Sequence, residues 1–216
     1  MKISVSYSFA HEVGNYFNSV YRFRWARHGN ETLDQKLQAG LSRDFVKSLS
    51  NCKDDPLAKQ VIKEYLLKTD NQHNYLEISR KLEETWKANG KQIEKKLGRI
   101  YGKPFPFKTM NVYLTSIPIN PYHYPDWIMV YAFMPVEKQL RVLGHELNHF
   151  MFYYYFRDME AQLGKEKFES LKEALTVLSE PEREGYPAQR EMRMWLRKQE
   201  GTVEEILKKP GWKTFL

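Results

Sequence analysis

Apolar residues alternate with small polar ones at Ile3, Val5, Tyr7 and Phe9, the period-two signature of a short strand. From about Glu12 to Trp25 the spacing becomes helical, with Tyr16, Phe17, Val20 and Phe23 or Arg24 on one face and Gly29-Asn30 as a stop. Thr32 or Asp34 is placed to cap a helix reaching about Leu49. Asp54-Asp55-Pro56 opens another, carrying Leu57, Val61, Tyr65 and Leu66, and a long helix is expected from about Asn74 to Gly98. The texture changes between Gly98 and Pro135. Prolines 104, 106, 118, 121, 125 and 135 exclude long helices there, and the apolar runs Met110 to Thr115 and Trp127 to Phe133 read as strands.

Helical pattern then resumes. A helix is expected from about Val136 to Phe156, its core side carrying Leu140, Leu143, Leu147, Phe150 or Met151, and Tyr154. Gly164 marks a break, a second helix runs from about Lys165 to Ser179, Pro181 ends it, and Ala188 to Lys209 holds one or two more. The pattern predicts an α+β fold, predominantly helical, with a small antiparallel or mixed sheet ahead of the Val136 helix. The expected organisation is a mostly helical region over 1–103 and a second unit over 104–216.

Composition narrows the class. A chain of 216 residues, 42% hydrophobic and 14% aromatic, has enough apolar surface for a sizeable core. Its single cysteine, Cys52, excludes an internal disulfide and a thiolate zinc site. The first ten residues lack the apolar core of a secretory signal, and no stretch approaches a membrane span, so a cytoplasmic location is expected.

The formal charge of +7 raises nucleic acid as a partner. All of that surplus lies in residues 1–103, since residues 104–216 carry 15 basic and 15 acidic side chains. Between Glu77 and Arg99 the acids Glu77, Glu83, Glu84 and Glu94 alternate with Arg80, Lys81, Lys87, Lys91, Lys95 and Lys96, several at i, i+4 spacing. That is the pattern of a solvated helix face, and it argues against a nucleic-acid stripe.

The chemistry lies in His145-Glu146-Leu147-Asn148-His149, an HExxH motif in the middle of a well-patterned helix. Histidines at i and i+4 project from one face, so both imidazoles can reach a single Zn²⁺. Glu146 can instead meet a water at that metal, take its proton and pass it to a leaving amine. The reaction implied is metal-assisted hydrolysis. A catalytic zinc needs a third protein ligand, and no histidine follows His149, which leaves carboxylates. The candidates are Glu166, Glu169, Glu173 and Glu180, which fall on one side of a helical wheel. Glu173 is preferred because Val177 one turn on draws that part of the stripe away from water, and Ala174 permits close helix approach.

On these residues the sequence resembles the gluzincin group of HExxH zinc metallopeptidases, within the zincin superfamily. Lys172-Glu173-Ala174-Leu175-Thr176 is similar to the Glu-Ala-aliphatic stretch of that group's glutamate helix. The resemblance spans about Asp126 to Ser179. It implies a zincin-like catalytic unit over 104–216, with His145, His149 and Glu173 as zinc ligands, Glu146 as general base, and Glu169 as the runner-up third ligand. The acid often found four positions after the ligand glutamate, where it orients a histidine, is Val177 here, so another acceptor must hold that imidazole. The resemblance also gives the Trp127 to Phe133 strand two readings, an exposed edge to which a peptide adds, or an internal strand.

An oxyanion donor is needed as well, and His123, Tyr153, Tyr154, Tyr155 and Tyr186 are available. His11-Glu12, His28 and His73 lack partners at ligand spacing and read as structural or solvent-facing. The expected function is zinc-dependent hydrolysis of a peptide or protein substrate. The alternatives are a zincin-like regulatory or binding protein without turnover, and a basic nucleic-acid-binding protein in which the motif is incidental.

Overall fold

The computed structural model describes residues 1–22, 41–69, 74–183 and 185–216. The expected stop at Gly29-Asn30, the Thr32 or Asp34 cap, His28 and His73 lie outside the described residues. The described chain is mostly helical, with one mixed four-stranded sheet, as an α+β pattern requires. Among the described residues no helix is long and apolar enough to cross a membrane.

Contacts divide the chain into two compact units that interleave in sequence. The first comprises Met1–Lys2, Thr85–Thr109 and Leu140–Leu216, the second Ile3–Glu84 and Met110–Gln139.

The second unit holds the sheet. Strand β1 is Lys2–Tyr7, β2 is Thr109–Thr115, β3 is Tyr122–His123 and β4 is Trp127–Tyr131, in the order β1-β2-β4-β3. Strands β2 and β4 run parallel, pairing Asn111 with Trp127 through Thr115 with Tyr131, while β3 runs antiparallel to β4. This decides between the two readings of β4. It is internal, and beyond the two residues of β3 its outer donors are already taken, Met129 N–H by the Pro121 carbonyl at 2.7 Å and Tyr131 N–H by Asn120 Oδ1 at 2.7 Å. A peptide finds no free donors along that edge.

Helix α1 (Phe9–Tyr16) starts where Ser8 accepts the His11 amide and continues as a π-helical turn over Phe17–Arg22. Helices α2 (Arg43–Ser50, capped by Ser42) and α3 (Asp55–Thr69) pack with it. Val13, Tyr16, Phe17, Phe45, Leu49, Ile62, Leu66 and Ile117 form their common core, with the Phe45 and Tyr65 rings stacked 3.9 Å apart. Each such buried side chain contributes about 1.5–3 kcal/mol.

Glu12 is the exception within this core. It is fully buried, and its Oε1 accepts from the Ser116 amide at 2.7 Å and the Ser116 hydroxyl at 2.5 Å, with Tyr16 Oη a further 2.8 Å from that hydroxyl. Burial raises the Glu12 carboxyl above its ordinary value, more than the Ser116 and Thr115 hydrogen bonds lower it.

The first unit contains the second half of the long helix α4 (Tyr75–Tyr101) and most of α5 (Val136–Phe156). Next come the short α6 (Met159–Leu163), α7 (Lys165–Leu175) with a 3₁₀ turn over Thr176–Leu178, α8 (Arg190–Leu196) and α9 (Val203–Lys208). Arg80, Lys81, Lys87, Lys91, Lys95 and Lys96 of α4 are exposed, as the interleaved pattern predicts. Along α5, Leu143, Leu147, Phe150, Met151 and Phe152 are buried, with Phe152 4.8 Å from the Phe168 ring of α7. Tyr154, expected on the core side, is 54% exposed, because the buried stripe passes through Phe150, Met151 and Phe152.

An acid whose folded pKa is raised contributes stability that is fully present below its unfolded pKa and is lost as pH rises through the folded one. Wild-type protein should therefore lose stability relative to Glu12→Gln, which keeps an acceptor and cannot ionise, as pH rises above the ordinary carboxylate range. Urea unfolding over a series of pH values would measure the difference. Parallel curves for the two proteins would refute it.

Candidate metal centre

The apolar stripe of α5 fixes the helix face that carries His145 and His149. Both imidazoles are buried, at 6% and 1% exposure, and face each other with Nε2 to Nε2 at 3.1 Å. Glu173 reaches across from α7, its Oε1 3.3 Å from His149 Nε2. Two ligands about 2.0–2.1 Å from a tetrahedral zinc stand roughly 3.3 Å apart, so both spacings are those of tetrahedron edges. Glu146 Oε2 lies 4.0 Å from the same His149 nitrogen. Among the described residues, the group whose ligand atoms all lie within 4.8 Å of one another is His145, Glu146 and His149, and Glu173 joins it through His149.

Burial sets the protonation of these groups. It drives His149 well below its ordinary pKa, with Lys172, His145 and Arg183 adding to the effect, so the imidazole is neutral as a metal ligand must be. Burial also pushes the Glu146 carboxyl up to about 8, with the Glu173 charge next in importance, against opposing Lys172 and Arg183.

The other acids are separated by their partners. Glu166 is exposed. Both Glu169 oxygens are engaged, Oε1 accepting from Tyr153 Oη at 2.7 Å and Oε2 from Lys172 Nζ at 2.7 Å. Glu180 stands beyond the end of α7, with Oε2 3.0 Å from His145 Nδ1. Seven positions after Glu173, it supplies the acceptor that Val177, itself buried, cannot. Nδ1 donates to Glu180 in the tautomer that leaves the Nε2 lone pair for a metal, and accepts from Arg183 in the other. Arg183 Nη1 is 2.8 Å from the same Nδ1 and 3.2 Å from Glu180 Oε2. Burial would raise the Glu180 carboxyl, but the His145 hydrogen bond and the His145 and Arg183 charges outweigh it and hold it below its ordinary value.

Backbone anchors hold these elements. Asn148, inside the motif, donates from Nδ2 to Ser179 Oγ at 2.6 Å, while the Tyr101 hydroxyl lies 2.6 Å from its Oδ1. Arg193 of α8 is 2% exposed and donates to the Glu173 carbonyl at 3.1 Å, Thr176 Oγ1 at 2.8 Å and the Arg183 carbonyl at 2.6 Å. Gly185, at φ +74°, passes directly over it, and a Cβ there would come 2.7 Å from Arg193 Cδ. Arg193 thus ties the backbone of Glu173 to the segment carrying Arg183.

Of the expected oxyanion donors, Tyr153 is bound to Glu169, Tyr155 donates to the Pro104 carbonyl, and the Tyr154 ring packs edge-on against Phe107. Tyr186 is 44% exposed, and its phenol is raised by burial and then by the Glu173 charge, which places it in the electrostatic reach of the site. His123, in the second unit, pairs with Asp126 at 3.0 Å.

Sequence reasoning did not anticipate Lys172, Arg183 or Arg193. Two carried a signal: Lys172 is four residues after Phe168 on the apolar stripe of α7, and Arg193 occupies the buried face of α8 between Gln189 and Leu196. No protein-family model, curated protein or solved structure matches the chain.

Removing the Arg193 fork takes a donor from the buried Thr176 hydroxyl and from the part-buried Glu173 and Arg183 carbonyls. Arg193→Met should lower the unfolding free energy by about 3 kcal/mol, read from urea denaturation. A loss within error of zero would show that these bonds do not hold α7.

Proposed function

We propose that the chain is a zinc-dependent metallopeptidase, its zinc held by His145, His149 and Glu173 in a zincin-like arrangement. The observation that carries this reading is the pair of spacings on His149 Nε2, 3.1 Å to His145 and 3.3 Å to Glu173, with Glu146 alongside. The donor set fits the ion. Two imidazoles and one carboxylate leave a fourth tetrahedral position for water or substrate.

Bound zinc supplies a Lewis acid that polarises a carbonyl and acidifies a water. The protein supplies the rest. Glu146 takes the proton from the attacking water and returns it to the leaving nitrogen, a role suited to a buried carboxylate standing beside the two histidines. Glu180 orients the His145 ring through Nδ1. Of the expected oxyanion donors, the half-exposed Tyr186 is the one we assign, since Tyr153 and Tyr155 are bound elsewhere. A cytoplasmic peptide or protein is the expected substrate, and an accessory role fits the basic surplus of residues 1–103.

Purified protein should contain zinc, and His149→Ala should lose it. Glu146→Gln should retain zinc while cleavage of an unbiased peptide library falls by at least about 1000-fold. Zinc with no cleavage by wild type would instead mark a binding protein built on the same site. Glu173→Ala should weaken zinc binding more than Glu169→Ala, and the reverse order would move the third ligand to Glu169. Glu180→Gln should weaken it about tenfold in a chelator competition, while equal affinity would remove Glu180 from its orienting role.

A further inference from the structure

A buried lysine is expensive, and Lys172 is 3% exposed. Its ammonium lies 2.7 Å from Glu169 Oε2, 3.3 Å from Glu173 Oε1 and 3.4 Å from Tyr153 Oη, and 5.3 Å from the centroid of the Tyr153 ring. A methionine of similar length would fill the same stripe without the desolvation cost. Packing alone does not account for the charge.

The contacts form a closed circuit. Tyr153, one turn beyond His149 on α5, donates to Glu169, and Glu169 accepts from Lys172. Lys172 reaches Glu173, and Glu173 reaches back to His149 on α5. Adjacent residues on a helix point about 100° apart, so the Lys172 side chain must bend over to meet Glu173. The Glu173 side chain is 24% exposed and has three rotatable bonds, so it has solvent-facing alternatives. The ammonium lies on the same Oε1 that faces His149.

We propose that Lys172 is a positioning residue for the metal centre, holding the Glu173 carboxylate against His149. This rests on the reading of His145, His149 and Glu173 as zinc ligands. The effect has a sign that distinguishes it from simple electrostatics. A cation near a divalent ion repels it, so a pure charge effect makes zinc bind more tightly when Lys172 is neutralised, whereas loss of positioning makes it bind more weakly.

The test is zinc affinity of the full chain, measured by competition with a chromophoric chelator, for wild type, K172M, E173A and the K172M/E173A double variant. K172M should weaken binding about 10- to 100-fold, and the same change should have no effect once Glu173 is absent. Lys172→Arg, which keeps a cationic donor, should recover part of the loss. Tighter binding by K172M, unchanged binding, or an equal loss in both backgrounds would each overturn the proposal. Far-UV circular dichroism of chelator-stripped protein checks the fold. If K172M does not fold, Glu169→Gln carries the comparison, since it loosens the other anchor of Lys172 and should weaken zinc binding only when Glu173 is present. Failure of wild type to bind zinc overturns the ligand assignment instead, and the two outcomes are distinct.

Discussion

Two imidazoles packed 3.1 Å apart inside a protein cannot both carry charge, and the surroundings of His145 and His149 follow from that constraint. Burial keeps His149 neutral, and its Nε2 faces His145 and Glu173 together. His145 is held from its other nitrogen by Glu180. Each of those carboxylates needs compensation in turn, and each has a cation, Lys172 beside Glu173 and Arg183 beside Glu180. The site is a layered arrangement in which every buried charge is paired with one of opposite sign, as low-dielectric surroundings require.

Rigidity comes from the next layer out. Asn148 and Ser179 join α5 to the end of α7, and Tyr101 fixes Asn148 from α4. Arg193 fastens the carbonyls of Glu173 and Arg183 with one planar fork. Two of these bonds join side chain to side chain and two join a side chain to a backbone carbonyl, and together they tie the end of α7 and the segment after it to the neighbouring helices. Ligating groups of this kind work when their own rotamers are set by packing and hydrogen bonding rather than by the metal alone.

What was legible in the sequence was whatever depends on neighbours along the chain. The helix over Val136–Phe156 follows from its apolar period and from Pro135 before it, and the HExxH spacing places both histidines on one face whatever surrounds them. The burial of Val177 and Ala174, on which the preference for Glu173 rested, was also legible from their type. Tyr154 shows the limit: an amphipathic stripe drifts along a long helix, and its last turn emerges at the surface although its spacing matches the core.

Hydrophobic period and motif spacing thus determined the α+β class, the helix that carries the His145-Glu146-His149 group and the set of candidate acids, because these rest on backbone geometry that repeats every few residues. Only the tertiary structure decided that β4 is internal, that Glu180 and not a residue four positions after Glu173 holds His145, and that Lys172 lies between two carboxylates. Each of those facts depends on where a chain segment returns after a turn. A helical wheel sets Glu180 on the same side as Glu173, but α7 ends at Leu175 and gives way to a 3₁₀ turn over Thr176–Leu178, so the contact of Glu180 with His145 Nδ1 is set by that turn and not by helical phase.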